Sequence, residues 1–265
     1  MKKLARAVSI TKPQLQIRYK TVHFAKETDS TNLWIKRLAK EGASEGTLAL
    51  AEFQSAGRGR LGRSWEVPEG TSVMMSILLR PKFEPQYAPT LTLVMGMAVA
   101  KAVKSLGFDV SIKWPNDVVV SHKRRCEYHT EMGVRDGKID YAVIGVGINV
   151  NIKEFPEEMA DKATSLYLES GKEFDRSQIP GLVMEAFEKY YEKFTATCDL
   201  SGLKEEYESI LANYNQPVRV LAKEPYEGVA RGITDGGELL VEKTDGTIVA
   251  VSAGEVSVRG LYSYV

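Results

Sequence analysis

The sequence predicts an α+β protein: a mixed β-sheet with helices packed on it, followed by a small all-β unit. Three observations predict this. Strands and helices alternate irregularly over the first part of the chain, and four strands then run consecutively from Val110 to Val146. Two amphipathic helical stretches follow, roughly Ser177 to Thr195 and Leu200 to Asn213. After Asn215-Gln216-Pro217 the pattern becomes short strands separated by glycine turns, as in a small β-barrel.

The elements follow in order. Residues 1–21 show no strong period, contain Pro13 and read as an arm or an added strand. Thr21 to Ala25 reads as a strand. Asp29-Ser30-Thr31-Asn32, rich in residues that cap helices, precedes a helix over Leu33 to Lys40. Leu48 to Phe53 and Val73 to Leu79 are apolar strands, the second stopped by Arg80-Pro81. Leu91 to Leu106, with small residues at Gly96, Ala98, Ala100 and Ala102, is a buried helix ended by Gly107. Strands Val110 to Lys113, Asp117 to Val120, Cys126 to Val134 and Ile139 to Val146 come next, with turns at Ser121-His122-Lys123 and Asp136-Gly137. The terminal unit, Val218 to Val258, turns at Asp235-Gly236-Gly237 and Asp245-Gly246. The expected boundaries are an arm over 1–21, a large domain over 22–213 and a small one over 214–265.

Composition narrows the function. The 265 residues carry 35 basic and 35 acidic side chains, which argues against a general nucleic-acid binder. Cys126 and Cys198 form no Cys-x-x-Cys pair, and the 3 histidines have no metal-ligand spacing. No signal peptide and no membrane-length apolar run is visible, so a cytoplasmic protein without a membrane partner is expected.

The most informative stretch is Gln54-Ser55-Ala56-Gly57-Arg58-Gly59-Arg60-Leu61-Gly62-Arg63-Ser64-Trp65. Glycines at 57, 59 and 62 let the backbone fold closely around a ligand, and arginines at 58, 60 and 63 concentrate positive charge there. Such a loop suits a phosphate or acyl-phosphate, over which it closes to exclude water. Its spacing also satisfies Gly-x-Gly-x-x-Gly and nearly satisfies the P-loop pattern. Both of those need a helix to open at the last glycine, whereas Trp65-Glu66-Val67-Pro68-Glu69-Gly70 is strand or turn chemistry. A kinase loop is excluded by the lack of a His-Arg-Asp catalytic element downstream. An ordinary basic surface turn is the plainer alternative.

Two further constellations carry chemistry. Lys113-Trp114-Pro115-Asn116-Asp117 sets a cation, an indole, an amide and a carboxylate in five positions. Asp117 suits a ribose hydroxyl or Mg²⁺, and Lys113 suits a phosphate. The plainer alternative is a turn between strands anchored by a buried tryptophan. Ile144-Gly145-Val146-Gly147-Ile148-Asn149-Val150-Asn151 ends a strand with glycines that admit a ligand against the backbone, or marks a bulged edge. Ser30 and Thr31 are equally readable as helix caps.

Taken in order, Asp-Ser-Thr-Asn, the Gly-Arg-Gly-Arg loop, Lys-Trp-Pro-Asn-Asp and Gly-x-Gly-Ile-Asn resemble the catalytic and C-terminal domains of biotin–protein ligases, from about residue 22 to the end. Asn215-Gln216-Pro217-Val218 and Gly254-Glu255-Val256-Ser257-Val258-Arg259 belong to the same resemblance. It implies a class II synthetase-like ligase domain followed by an SH3-like β-barrel, without the N-terminal DNA-binding domain of some members. It implies an ATP-dependent enzyme, not an operator-binding regulator. Biotin would be activated as biotinyl-5′-AMP and passed to a lysine of a biotin carboxyl carrier protein or carrier domain, with ATP and Mg²⁺ required. An exposed sheet edge in this architecture suits a homodimer.

The resemblance also implies roles for residues. Catalysis would fall to Arg58, Arg60, Lys113 and Arg124. Biotin would meet Ser30, Thr31, Gln54, Gly57, Arg58, Arg124, Glu127, His129 and Gly145. ATP would meet Arg60, Arg63, Trp65, Asn116, Asp117, Asn149, Glu255 and Arg259, with Asp117 near Mg²⁺.

One strand departs from the family pattern. Where the family has Lys-x-Ala/Cys-Gly-Ile-Leu-x-Glu, the chain reads Arg124-Arg125-Cys126-Glu127-Tyr128-His129-Thr130-Glu131. Arg124 stands in for the expected lysine, although Lys123 is adjacent, and a guanidinium fork is not an ammonium point charge. Strand alternation puts Glu127, His129 and Glu131 on one face. If that face lines the pocket, an unpaired carboxylate there would cost several kcal/mol on burial. The departure leaves two alternatives to a biotin ligase: a ligase for another acid such as lipoate, and a binding protein that has lost transfer. On the altered-pocket reading, Glu127→Gly with His129→Leu should tighten biotin binding, and a titration showing unchanged affinity would refute it.

Overall fold

The computed structural model describes residues 21–57, 67–120, 123–160, 163–252 and 257–260, with the backbone alone for 123–129, 160 and 257–260. The expected arm and turn at Ser121-His122 lie outside the described residues, as does most of the arginine-rich loop.

The large domain is built on a seven-stranded mixed sheet. Its strands are β1 (Val22–Thr28), β2 (Leu48–Gln54), β3 (Ser72–Leu79), β4 (Ser111–Lys113), β5 (Asp117–Val120), β6 (Lys123–Arg135) and β7 (Lys138–Asn149), in the order β1-β2-β3-β7-β6-β5-β4. Only the β1–β2 pair is parallel; every other neighbour is antiparallel. Asp136 and Gly137 take φ of 51° and 75° between β6 and β7. Two left-handed residues in succession suit a tight hairpin, and Asp-Gly supplies them at little cost.

Alternation along β3 sorts the two faces of this sheet. Val73, Met75, Ile77 and Leu79 enter the main core with Ile144, Val146 and Ile148 of β7. That face is covered by α2 (Leu91–Ser105) and α5 (Ile179–Thr197), through residues such as Leu91, Met95, Val99, Met184, Phe187 and Phe194. α2 is buried nearly all round because it lies between sheet and helix. On the opposite face, Ala49, Leu78 and Val143 form a smaller cluster with Ile35 and Ala39 of α1 (Thr31–Lys40). The end of α1 is tied down by Arg80, whose guanidinium donates to the Ala39, Ala43 and Asp140 carbonyls. Short helices α3 (Glu157–Ala160) and α4 (Leu166–Ser170) connect β7 to α5.

The helix expected over Leu200 to Asn213 is shorter: α6 spans Lys204–Ser209. The reason lies at the sheet edge. Past Ser209 the backbone pairs with β4 instead of continuing the helix: Ile112 N donates to Ile210 O at 2.7 Å, and Ala212 N to Ile112 O at 2.8 Å. An open edge strand is thereby covered.

The small unit is the all-β sheet expected of an SH3-like domain. Its strands β8 (Pro217–Leu221), β9 (Tyr226–Ile233), β10 (Leu239–Glu242), β11 (Ile248–Val251) and β12 (Ser257–Gly260) form an antiparallel sheet ordered β11-β10-β9-β8-β12. Among the described residues no ladder joins β11 to β12. It is not a separate core: Val218, Ala230, Ile233, Leu239 and Val241 belong to one cluster with Leu200, Leu203 and Tyr207.

Three consecutive carbonyls fix the junction. Asp235 O accepts from Leu200 N at 2.8 Å, Gly236 O from Thr90 Oγ1 at 3.0 Å, and Gly237 O from Trp114 Nε1 at 3.0 Å. Gly237 has φ of 89°, and a Cβ there would stand 3.0 Å from Leu93 Cδ2. Trp114, 1 % exposed, is thus both core filler and clamp. Trp114→Phe should leave a buried carbonyl without its donor, beside a cavity where part of the indole stood. A loss of about 1–3 kcal/mol follows, read from the urea midpoint.

Candidate active site

The site lies where α1 begins, on the sheet face opposite α2. β1 and β2 run in parallel to their C-terminal ends, and the chain beyond β2 stays pinned there: Ser55 N donates to Thr28 O at 2.9 Å and Ala56 N to Asp29 O at 2.8 Å. Gln54 is consequently held beside the first turn of α1. Thr31 N donates to Gln54 Oε1 at 2.7 Å, and Thr31 Oγ1 lies 3.0 Å from the same oxygen. Gln54 Nε2 points to Met74 Sδ at 3.4 Å. Thr31 and Gln54 are therefore brought together, with Ser30 next to them in the chain. Ser30 stands at the N-cap position of α1 without a side-chain cap bond, so capping does not occupy its hydroxyl.

Three residues that the sequence reading did not assign complete this corner. Ser76 Oγ of β3 is 2.7 Å from Thr31 Oγ1 and 2.6 Å from Asn32 Oδ1. Asn32 Nδ2 donates to Glu131 Oε1 at 2.7 Å, and Glu131 also pairs with Lys36. A Cβ on Gly145 would come within 2.3 Å of Asn32 Oδ1. The room expected at Gly145 for a ligand is thus taken, at least toward α1, by Asn32. The only signal for Ser76 in the sequence is a hydroxyl inside an otherwise apolar strand, 0 % exposed once folded.

Register connects this corner to the rest of the expected site. One row across the sheet runs Lys113, Asp117, Glu127, Gly147, Met74 and Ala51, and a second runs His129, Gly145, Ser76 and Ala49. Neighbouring positions in such rows lie roughly 5 Å apart. Gly145 and Gly147 are partly exposed while Ile144, Val146 and Ile148 between and beside them are buried. The backbone of β7 is therefore bare at Gly145 and Gly147, beside the Thr31 corner.

At that turn Lys113 and Asn116 are buried and Asp117 is half-buried. The tryptophan-anchored turn weighed in the sequence is present, since Trp114 N accepts no freedom either: it donates to Asn213 Oδ1 at 2.9 Å. At the far end of β7, Asn149 is 2 % exposed; its Nδ2 donates to Thr164 O at 3.2 Å, while its Oδ1 has no partner. Ser72, paired with Asn149 in register, has a buried hydroxyl that is likewise unpartnered. Buried polar atoms left so are costly, and a ligand is one way to satisfy them.

Arg58, Arg60, Arg63, Trp65 and Glu255 lie outside the described residues. Gly57 is buried at the loop's start. Arg124, Glu127, His129 and Arg259 are placed by backbone only, with Arg124 registered to Val119 and Arg259 to Arg219. Among the described residues no group of three His, Cys, Asp or Glu gathers as a metal site.

The profile of the Biotin/lipoate A/B protein ligase family matches residues 24–149, and that of the biotin protein ligase C-terminal domain matches residues 214–259. A bifunctional ligase/repressor BirA from Bacillus subtilis is 37% identical over 221 residues, 82% of this chain and 68% of that protein. A biotin–[acetyl-CoA-carboxylase] ligase of Mycobacterium tuberculosis is 30% identical over 236 residues, 87% of this chain and 86% of that one. The structure of an Aquifex aeolicus biotin protein ligase in complex with biotin and ATP superposes with a TM-score of 0.79 at 32% identity, covering 91% of this chain and 100% of that one. Fold and site define an ATP-dependent ligase of the acyl-adenylate type. The chain belongs to the Biotin/lipoate A/B protein ligase family, in its biotin branch.

Beside the corner, the bidentate contact of Arg37 with Asp29, at 2.7 and 2.9 Å, holds the Asp29 carboxyl well below the usual carboxylate range; the Ser30 amide and Thr28 hydroxyl assist. A depressed carboxylate stabilises the fold above its unfolded value of 3.8, and that contribution disappears as pH falls through the folded value. Both side chains are over a third exposed, so solvent screening limits the effect to about 1 kcal/mol or less. The stability gap between the native protein and Arg37→Ala should shrink as pH drops below 3.8, as followed by thermal melts.

Proposed function

We infer that the chain activates biotin with ATP as biotinyl-5′-AMP and transfers the biotinyl group to a lysine of a carrier protein. It is an ATP-dependent biotin–protein ligase that uses biotin and ATP as substrates. The observation that carries this reading is the Ser30–Thr31–Gln54 corner beside bare backbone at Gly145 and Gly147, in a chain that matches biotin ligases along both domains.

In the first step a biotin carboxylate oxygen attacks the α-phosphorus of ATP and pyrophosphate leaves. In the second, a carrier lysine attacks the acyl carbon, AMP departs and an amide remains. Both anions must approach one another in the first step, so neutralisation by fixed cations supplies much of the rate. We assign the ring end of biotin to Ser30, Thr31 and Gln54, and its carboxylate end to the loop from Gly57. Arg58, Arg60 and Arg63 would close over the adenylate, with Lys113 and Arg124 adding charge. The nucleotide would meet Asn116, Asp117 and Asn149, Trp65 from the loop, and Glu255 and Arg259 of the small unit. Support for Asn149 comes from its buried, unpartnered oxygen.

Asp117 offers a hard oxygen donor suited to Mg²⁺ held mainly by the nucleotide phosphates, whose charge the ion would offset. The carrier is a biotin-accepting domain, such as that of an acetyl-CoA carboxylase. A cytoplasmic homodimer is the proposed state, supported by the exposed Val22 and Phe24 on edge strand β1. No described helix is long and apolar enough to cross a membrane, and the balanced charge gives no reason to invoke nucleic acid or membrane partners.

Acid-dependent ATP–pyrophosphate exchange tests the activity. Exchange with biotin is expected, with lipoate and octanoate at least tenfold slower at matched concentration. Faster exchange with either of those acids would transfer the assignment to a different substrate and put weight on Glu127 and His129.

A further inference from the structure

The hydroxyl protons in the Thr31 corner can be counted, and the count constrains what the corner recognises. Thr31 N–H donates to Gln54 Oε1 at 2.7 Å, which turns the amide oxygen of Gln54, not its nitrogen, toward Thr31. Asn32 is oriented from the other side: a carboxylate only accepts, so the 2.7 Å contact with Glu131 Oε1 must use the Asn32 Nδ2 group. Lys36, paired with the other oxygen of Glu131, holds that carboxylate in place. The Asn32 oxygen therefore faces Ser76 Oγ at 2.6 Å.

An amide oxygen has no proton to give, so the Ser76 proton goes into that bond. The 2.7 Å contact between the Ser76 and Thr31 hydroxyls then requires the proton of Thr31. Thr31 has one proton and two places for it, Ser76 at 2.7 Å and Gln54 Oε1 at 3.0 Å; the shorter contact has no other donor. With its proton turned into the sheet, Thr31 Oγ1 keeps a lone pair for the pocket. Gln54 Oε1 has a second lone pair beside it. Thr31 Oγ1 and Gln54 Oε1 thus both face the pocket as acceptors.

We propose that Ser76, oriented through Asn32 by Glu131 and Lys36, is a positioning residue that fixes the Thr31 hydroxyl as an acceptor and makes the pocket selective for a ring N–H. This rests on the reading of the corner as the site of the biotin ring. A cyclic urea brings an N–H to such a wall. A cyclic carbamate, with oxygen in that place, brings another lone pair and is repelled. Removing Ser76 releases the Thr31 proton to move between Gln54 Oε1 and the pocket, and the wall then accommodates either atom. None of the four relay residues needs to touch the ligand.

The test is calorimetric titration of the whole protein with biotin and with the two carbamate analogues in which ring oxygen replaces one or the other ureido N–H. The native protein should favour biotin over one of the two by tenfold or more, and Ser76→Ala should reduce that ratio about tenfold. Glu131→Gln should reduce it as well: the new amide oxygen pairs with Lys36, its NH₂ faces Asn32, and Asn32 turns over. That second variant carries the test if Ser76→Ala does not fold. Equal weakening of all three ligands in both variants would mean packing alone, and an unchanged ratio would mean no relay; either result overturns the proposal. Failure of the native protein to bind biotin at all would instead remove the site assignment beneath it.

Discussion

Everything at the site depends on how closely the first turn of α1 approaches the sheet. Asn32 lies against the backbone of β7 at Gly145, within 2.3 Å of where any Cβ would stand. No other residue type at 145 leaves that room. The close approach brings Thr31 to Gln54 on one side and to Ser76 on the other, and lets one asparagine reach Glu131 on β6. An alanine at 145 would displace the Asn32 side chain and break its contacts with Ser76 and Glu131. The glycine therefore acts through the Asn32 side chain it admits, not only through space for a ligand.

The rest of the architecture maintains that sheet. One face is closed by α2 and α5 over a continuous apolar core, so the sheet cannot flex toward its buried side. The other face is closed only at its α1 end, by Ile35, Ala39 and their partners, leaving the strip over Gly145 and Gly147 partly open. Arg80 and Arg176 act as struts. The first gathers carbonyls from the end of α1 and from β7, and the second ties the start of β3 at Ser72 O to Glu52 of β2.

Much of this was legible in the chain, and the remainder was hidden for identifiable reasons. β2, β3, β5 and α2 fell within a residue or two of their expected bounds, because their apolar runs end at strong breakers such as Arg80-Pro81 and Gly107. Thr31 and Gln54 were found through short motifs and do meet, with Ser30 beside them at the start of α1. Asn32, Ser76 and Glu131 were not assigned, since each looks ordinary until a helix and two strands distant in sequence are laid side by side. The length of α6 was misjudged because amphipathic periodicity cannot reveal that β4 competes for the backbone of Ile210 and Ala212.

The clamp at Asp235, Gly236 and Gly237 has a consequence for how the molecule comes apart. Each of the three carbonyls is held by a different part of the large domain: the loop before α6, the turn before α2, and the tryptophan between β4 and β5. Because the apolar cluster also runs through the junction without a seam, the small sheet has no independent melting unit. Heat or denaturant should dissolve both sheets in one cooperative transition. The C-terminal strands expressed alone would be a fragment of a core, exposed to proteases along its whole length.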